Sequence, residues 1–177
     1  GLLDEVVARG VPVTGVRHGQ LGFLATFSPY EAKEAFPPIM EGRYTVAHRA
    51  LLACRDASGQ ERLALNDVVI KSSGETRLAR LSVRERADLV AEYSCDGLIF
   101  STPTGSTAYN LSAGGPIVHP SAEVILMTPI CPHTLTSRSV VFDGKARLQI
   151  DRVTDDPVKI SVAIDGRELE RESTRLP

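Results

Sequence analysis

The chain has 177 residues, of which 42% are hydrophobic, and this is enough to bury the core of one domain. Its 20 basic and 22 acidic residues leave a net charge of −2, so no overall field attracts nucleic acid or an anionic membrane. The composition excludes an intrinsically disordered chain, and with neither a long apolar run nor a signal peptide we expect a soluble, cytoplasmic protein without membrane or nucleic-acid partners.

The beginning of the chain is predicted to end an α/β domain. Residues 2–9 favour a helix, and residues 11–16 favour a buried strand. A second helix is predicted from Ser28, which suits an N-cap, and Pro37 and Pro38 are expected to end it. The domain boundary is therefore predicted after residue 27, between an α/β remnant and a β-rich domain that begins at residue 28 and runs to residue 177.

The β-rich part is predicted from period-two alternation and regularly spaced turns. The clearest strand covers 158–164, where Val and Ile alternate with polar or small residues. An Asp-Ala-Ser-Gly turn joins 43–55 to 63–70 as a hairpin, and the charged residues 167–177 fit either an edge strand or a tail. Further strands are expected at 77–83, 89–93, 98–101, 122–127, 138–142 and 146–150. Such spacing is typical of a layered β-sandwich.

Hydroxyl and glycine residues are concentrated between the predicted strand 98–101 and Pro120. We call residues 102–112 the hydroxyl loop, and we predict one or two helical turns from 107 to 112 with Ser106 as the N-cap. Free backbone N–H groups and hydroxyls would then face phosphate or ribose oxygens. No lysine follows Gly105, so this is not a Walker A loop, and an ordinary turn remains the alternative interpretation.

Asn66 and Asp67 form a second candidate, an amide beside a carboxylate at the start of an apolar run. Adjacent residues of a strand point to opposite faces, so a ligand-binding pair requires a strand end or a bulge. An ordinary turn is again the alternative. The four histidines lack metal-ligand spacing. The three cysteines are widely spaced and are expected to be reduced and buried.

Several segments, taken in order, resemble the NAD kinase family. They are Leu21-Gly22-Phe23-Leu24, Asn66-Asp67-Val68-Val69, Asp96-Gly97-Leu98-Ile99, Thr102-Pro103-Thr104-Gly105-Ser106-Thr107-Ala108-Tyr109, Gly114-Gly115-Pro116-Ile117 and Pro132-His133-Thr134-Leu135. The resemblance covers about Gly1 to Asp165. It implies the last helix and strand of an α/β nucleotide-binding domain (1–27) before a mainly β, sandwich-like NAD-binding domain (28–177). It also implies transfer of the γ-phosphoryl group of ATP, with Mg²⁺, to the adenosine ribose 2′-hydroxyl of NAD.

The resemblance further implies which residues bind the substrate. Asn66 and Asp67 are expected to hold substrate hydroxyls or ribose. Phe23 is expected near the adenine, Asp165 near the substrate and His133 close to a subunit boundary. The residues expected to face the dinucleotide or line its pocket are Asp96, Thr104, Thr107, Ala108, Tyr109 and Ser112. No residue of this chain matches the family's catalytic aspartate.

The chain departs from the family pattern in two places. Family members usually carry Asn-Glu where this chain has Asn66-Asp67, so the shorter carboxylate is expected to act through a water molecule. The Gly-Gly-Asp-Gly motif, whose aspartate is the family's catalytic base, does not occur in these residues. We therefore expect this chain to be part of a longer protein and to lack kinase activity by itself.

Two other functions stay open at this point. One is a catalytically silent dinucleotide-binding module, and the other is a related lipid or sugar kinase domain. For the kinase, the expected partners are NAD and ATP, in a homodimer or homotetramer whose sites are completed by the segment 131–133 of a neighbour. The sequence does not distinguish NAD from NADH, or ATP from polyphosphate.

Overall fold

The computed structural model describes residues 2–17, 25–73, 78–134, 136–153 and 159–169, with the side chains of residues 25 and 26 left out. The chain divides into two compact units, Gly1–His48 and Arg49–Pro177. The boundary proposed from the sequence, after residue 27, falls inside the first of these units. Within the described residues, every helix is too short or too polar to cross a bilayer.

The described residues of the first unit form two helices and a pair of parallel strands. Its elements are α1 (Leu2–Arg9), β1 (Gly15–Val16), β2 (Ala25–Phe27) and α2 (Pro29–Met40). Helix α2 begins with a capping box, in which the Ser28 side chain accepts from the Glu31 N–H at 3.2 Å and the Ser28 N–H donates to the Glu31 carboxylate at 2.7 Å. The strand predicted over 11–16 is only Gly15–Val16.

The predicted end of α2 at the two prolines is wrong, because Pro37 and Pro38 lie inside the helix. A proline lacks an N–H but keeps its carbonyl group. The Glu41 N–H donates to the Pro37 carbonyl at 3.1 Å, and the Arg43 N–H donates to the Pro38 carbonyl at 2.8 Å. These bonds close the last turn after the prolines, so the helix continues to Met40.

The second unit is mainly β, as the alternating pattern predicts. Its strands are β3 (Leu52–Arg55), β4 (Glu61–Ala64), β5 (Asp67–Ser72), β6 (Ala79–Glu85), β7 (Asp88–Cys95), β8 (Gly97–Ser101), β9 (Val124–Ile130), β10 (Val140–Asp143), β11 (Leu148–Arg152), β12 (Ile160–Ile164) and β13 (Arg167–Glu168). A 3₁₀ turn (Thr104–Thr107) and the short helix α3 (Tyr109–Ser112) follow β8.

These strands form antiparallel sheets within the described residues. The largest has the order β10-β9-β8-β5-β12-β13, a second has the order β11-β6-β7, and β3 pairs with β4 as a hairpin. Two of the predicted strands are interrupted. Residues 43–51 are not in a strand, and the run 63–70 is divided at residues 65 and 66 into β4 and β5. This division creates a strand end at Asn66.

The main sheet is covered on both faces. Alternate residues on one face, such as Ile70, Leu98 and Phe100, join the hydrophobic core with Leu81 and Val83 of the second sheet. On the opposite face, buried residues of the central strands lie under the hydroxyl loop, because the 3₁₀ turn and α3 contact β8. The hydroxyl loop therefore packs on the central strands of the main sheet.

The expectation that all three cysteines are buried is wrong. Cys95 is buried and Cys54 is half-buried, but Cys131 is exposed. Cys131 also has a φ of 44°, a left-handed conformation that is uncommon for residues other than glycine. It directly follows β9, where the chain leaves the sheet.

Candidate functional site

Three strands of the main sheet have one terminus at the same end of the sheet. Strand β5 begins at Asp67, while β8 ends at Ser101 and β12 ends at Ile164. Asp67 lies opposite Ser101, and Val68 lies opposite Ile164. The residues at and just beyond these ends meet there, and we call Asn66, Asp67, Thr102 and Asp165 the strand-end cluster.

Asp165 organises the backbone of this cluster. Its carboxylate accepts hydrogen bonds from the backbone N–H groups of Leu65 at 2.8 Å, Asn66 at 2.7 Å and Asp67 at 3.1 Å. Asp165 has a φ of 46° and is followed by Gly166 with a φ of 74°, which makes the tight turn between β12 and β13. The turn thereby points the carboxylate at the segment between β4 and β5. This explains why the strand is interrupted there.

Asp67 is a carboxylate in a different environment. It is 5% exposed, and within the described residues its side chain accepts no hydrogen bond. Burial, followed by repulsion from Asp165, raises the pKa of Asp67 above its ordinary value. A buried carboxyl group of this kind gains from a ligand hydroxyl that donates to it.

The hydroxyl loop is joined to Asn66 by short polar contacts. The Thr102 N–H donates to the Asn66 carbonyl at 2.9 Å, and the Thr102 hydroxyl donates to the Leu65 carbonyl at 2.6 Å. The Gly105 N–H in turn donates to the Thr102 hydroxyl oxygen at 3.0 Å. A Cβ atom at Gly105 would overlap the Asn66 backbone, 2.7 Å from its Cα atom. Only glycine permits this close approach.

The predicted residues of the hydroxyl loop differ in exposure. Thr104 is buried and its hydroxyl oxygen has no hydrogen-bond partner in the described part of the chain. Thr107 is half-buried, and Tyr109 is 45% exposed. Ala108 and Ser112 are also exposed. The loop therefore combines an unpartnered buried hydroxyl with a surface that a ligand can reach.

The predicted N-cap is wrong. Ser106 is fully buried, and its hydroxyl bonds the Val118 backbone, accepting from the N–H at 3.2 Å and lying 3.3 Å from the carbonyl oxygen. Helix α3 instead follows Ala108, and no side chain caps it. With four residues, α3 is too short to supply a strong helix-terminal field. The side-chain hydroxyls are therefore the main polar groups that the loop offers to a ligand.

Two predicted residues lie at the other end of β8. Asp96 precedes this strand, and its N–H donates to the Ile130 carbonyl at 3.0 Å. The His133 N–H donates to the Ser94 carbonyl at 3.0 Å, which places His133 at the same end. Five residues of β8 separate this end from Thr102, a length of roughly 17 Å. Phe23 lies outside the described residues.

Sequence reasoning missed two buried polar residues, Asn110 within the hydroxyl loop and Thr128 on β9. Asn110 is 0% exposed and Thr128 is 1% exposed, and the Thr128 hydroxyl donates to the Asn110 side-chain oxygen at 2.7 Å. Asn110 stands out in the sequence only as part of an Asn-Leu-Ser sequon, and Thr128 lies in an apolar run. Neither signal indicates a buried pair.

A metal site is not formed by the residues that the structure describes. Among them, no group of three or more His, Cys, Asp and Glu side chains could hold a metal ion. The Asp165 carboxylate is already occupied by three N–H groups, which leaves Asp67 as the uncommitted carboxylate of the cluster. The described residues therefore do not fit a protein-bound divalent metal.

Comparisons with known proteins give one consistent family. A family model described as the ATP-NAD kinase C-terminal domain matches residues 65–175. The NAD kinase of Thiobacillus denitrificans is 40% identical over 160 residues, covering 88% of this chain and 55% of that protein. The NAD kinase of Pseudomonas putida is 38% identical over 171 residues, covering 94% of this chain and 58% of that protein. The chain thus spans a little over half the length of these curated relatives.

Solved structures agree with the sequence comparisons. The crystal structure of yeast NADH kinase complexed with NADH has a TM-score of 0.81 and 32% identity, covering 90% of this chain and 48% of that chain. The structure of an NAD kinase from Archaeoglobus fulgidus in complex with ATP has a TM-score of 0.78 and 26% identity, covering 90% of this chain and 61% of that chain. The predicted β-rich fold is confirmed.

Proposed function

This chain belongs to the ATP-NAD kinase family, and we propose that the protein transfers the γ-phosphoryl group of ATP to the 2′-hydroxyl of the adenosine ribose of NAD, forming NADP. The chain supplies the dinucleotide-binding domain for this reaction. Relatives and structural neighbours named as NAD or NADH kinases support the proposal, as do the complexes of two neighbours with NADH and ATP.

The observation that carries the proposal is a pair of side chains of buried residues near Asn66, Asp67 and Thr104, that accept no hydrogen bond within the described residues. Asp67 begins β5 and follows Asn66, while Thr104 precedes Gly105, which packs against the Asn66 backbone, and the buried Thr104 hydroxyl has no partner in the described part of the chain. Buried polar atoms are nearly always hydrogen-bonded, so such atoms in a native structure call for a ligand or water. Ribose hydroxyls match them, because each can donate to a carboxylate and accept from a second hydroxyl.

The proposed roles follow from this placement. Asn66 and Asp67 hold the ribose hydroxyls, and Thr104 and Asp165 lie close to them. The accessible residues of the hydroxyl loop contact the rest of the dinucleotide, namely Thr107, Ala108, Tyr109 and Ser112. Phosphoryl transfer depends mostly on such positioning and on compensation of phosphate charge. Phe23 near the adenine, Mg²⁺ with the ATP phosphates and a cytoplasmic location stay predictions.

The test compares this chain with the complete product of its gene. The complete product should form NADP from NAD and ATP, whereas the 177-residue chain should not, because no residue in it matches the family's general base. A complete product that binds NAD without forming NADP would instead favour the silent binding module. Phosphorylation of a lipid or a sugar, with NAD ignored, would favour the related kinase domain.

One substitution tests the binding site itself. Asn66→Ala in the complete product should weaken NAD binding, measured by calorimetry, by about 1–3 kcal/mol, because a buried ribose hydroxyl loses its partner. Gln149→Ala is the matched control, since Gln149 is an exposed amide on a different sheet whose side chain bonds only Asp151 among the described residues. Equal affinity in both variants would count against the proposed site.

We also propose that the protein is a homodimer or homotetramer with shared sites. Asp96 and His133 lie at the end of β8 opposite the strand-end cluster, so they are well placed to meet a ligand held by a second copy. Mixing subunits that carry His133→Ala with subunits that carry Asn66→Ala should give more activity than the average of the two separate variants. Verified subunit exchange without this gain, or a monomer by light scattering, would contradict the proposal.

A further inference from the structure

The Asn110 side chain lies at the centre of the segment 106–116, which includes the second half of the hydroxyl loop. It is completely buried, and each of its polar groups has a partner. Its Nδ2 group donates to the Ser106 carbonyl and to the Pro116 carbonyl, both at 3.0 Å, and its Oδ1 atom accepts from the Thr128 hydroxyl at 2.7 Å. One carboxamide therefore links both ends of the segment 106–116 to β9.

The hydrogen bonds continue beyond Thr128. Since the Thr128 hydroxyl proton is donated to Asn110, the Ser139 hydroxyl, 2.9 Å away, donates to the Thr128 oxygen. Ser139 precedes β10, in the loop that also contains His133. We call Asn110, Thr128 and Ser139 the buried relay. It connects the hydroxyl loop, the main sheet and the 131–139 loop.

The local backbone is built around this relay. A Cβ atom at Gly115 would overlap the Asn110 carboxamide, lying 2.6 Å from Nδ2, so residue 115 has to be glycine for the amide to fit. The Gly115 N–H donates to the Asn110 backbone carbonyl at 2.9 Å, and the Ser106 hydroxyl bonds the Val118 backbone. The inward face of the loop is thus committed to internal hydrogen bonds.

The outward face of the same loop is free for other contacts. Ala108, Tyr109 and Ser112 are exposed, and they flank Asn110 in the sequence. A four-residue helix with no side-chain cap has little stability of its own, so its position depends on what holds its inward side. The relay joins this inward side to β9, whereas the Thr102 hydrogen bonds join only the beginning of the loop to residues 65 and 66.

We propose that Asn110 and Thr128 are positioning residues of the dinucleotide site: through the buried relay they set the position of the ligand-facing hydroxyl loop on the sheet. The inference rests on the proposed function for the identity of the ligand, whereas the ordering of the loop does not depend on it. Neither side chain needs to touch the dinucleotide, because each acts through the segment 106–116.

The test uses Thr128→Val in the complete gene product. Valine keeps the shape of threonine but removes the hydroxyl that donates to Asn110 Oδ1, which leaves a buried acceptor unpartnered. The KM for NAD should rise roughly tenfold while kcat stays within about twofold, because the loop binds the ground state and the transition state equally. Thr128→Ser retains the hydroxyl and should restore a KM near that of the parent.

Ser161→Ala is the matched control. Ser161 is a buried hydroxyl residue on β12 of the same sheet, and its oxygen has no hydrogen-bond partner in the described part of the chain. Removing it should leave KM unchanged. If Thr128→Val lowered the melting temperature but left KM at the parent value, the relay would be merely structural and the proposal would be overturned.

Hydrogen exchange separates this inference from the proposed function. In the absence of ligand, Thr128→Val should speed amide exchange at Ser106, Gly115 and Val118, with no change in β6. Unchanged exchange in the loop would overturn the positioning role. A parent protein without NAD kinase activity would refute the proposed function, and the exchange measurement would then decide the positioning role alone.

Discussion

Gly105 gives a sharp test of how closely the hydroxyl loop must approach Asn66. In Gly105→Ala, the new Cβ atom would lie 2.7 Å from the Asn66 Cα atom and would overlap the Asn66 carbonyl group. Because Cβ contacts shorter than 3.0 Å essentially never occur, the loop and the start of β5 have to move apart by the better part of an ångström. The neighbour is backbone, so no side chain can turn away to make room.

The loss in the free energy of unfolding follows from the contacts that this movement strains. Overpacking of a close-packed site costs about 1–3 kcal/mol. The Gly105 N–H to Thr102 hydroxyl bond and the Thr102 N–H to Asn66 carbonyl bond lie on the same path, and each contributes about 1 kcal/mol. We expect Gly105→Ala to lower the free energy of unfolding by about 3 kcal/mol, measured by urea denaturation. NAD affinity, measured by calorimetry, should fall about tenfold or more.

Gly59→Ala is the control for the general cost of replacing a glycine. Gly59 lies in the turn between β3 and β4, has a φ of 86°, and has open space around the position of a Cβ atom. Its replacement costs about 1–2 kcal/mol of backbone strain and leaves the NAD site untouched. If Gly105→Ala bound NAD as tightly as Gly59→Ala did, the close approach would not matter for binding and our reasoning would be refuted.

Three further outcomes are expected. Asp67→Asn should stabilise the protein near neutral pH, because the raised pKa of Asp67 in the folded state makes the parent lose stability as the pH rises through that pKa. The gain should vanish as the pH falls below about 4, the ordinary pKa of an aspartate, where the parent is protonated in both the folded and the unfolded state. An equal gain at every pH in denaturation curves would argue against this. Asp165→Asn keeps the left-handed turn but loses carboxylate acceptors, and should cost about 2 kcal/mol in urea denaturation. Alkylation followed by mass spectrometry should label Cys131 first, since burial raises the pKa of Cys95 to about 11; fast labelling of Cys95 would contradict its burial.

Local sequence patterns were sufficient to predict most strands of the β-rich part. Strands β6 to β12 lie within a few residues of their predicted positions, because alternation and turn residues are local signals. The hairpin of β3 and β4 was predicted with the correct turn, although residues 43–51 turned out not to be strand. These residues alternate as a strand would, but within the described chain no neighbouring strand pairs with them. Pairing, and not alternation alone, decides whether a strand forms.

The interruption between β4 and β5 shows why the site was harder to predict. The run 63–70 is apolar enough to form one strand, and the Asn66-Asp67 pair inside it is only a weak local signal for a turn. The break depends on the Asp165 carboxylate, about a hundred residues away, which captures three consecutive N–H groups. Family resemblance identified Asn66 and Asp67, but their geometry depends on this long-range contact.

Contacts between residues distant in sequence also decide the positions of Asn110, Thr128 and Asp96. Asn110 and Thr128 meet only because the fold brings the α3 segment to the face of the main sheet, so their spacing of 18 residues carries no recognisable pattern. Asp96 and the hydroxyl loop are close in sequence, yet an extended strand separates them. The order of the motifs in the sequence therefore identified the candidate site residues, but it did not predict which of them lie at the same end of the sheet.

The hydrogen bonds of the strand-end cluster divide its two carboxylates between different tasks. Asp165 cannot turn towards a ligand without leaving the N–H groups of residues 65–67 unpaired, and each unpaired buried donor costs about 1–3 kcal/mol. Asp67 has no such bonds to lose within the described residues, and a ligand hydroxyl would relieve its desolvation. Asp165 therefore shapes the site from behind, and Asp67 is the carboxylate left to accept a hydroxyl from the substrate.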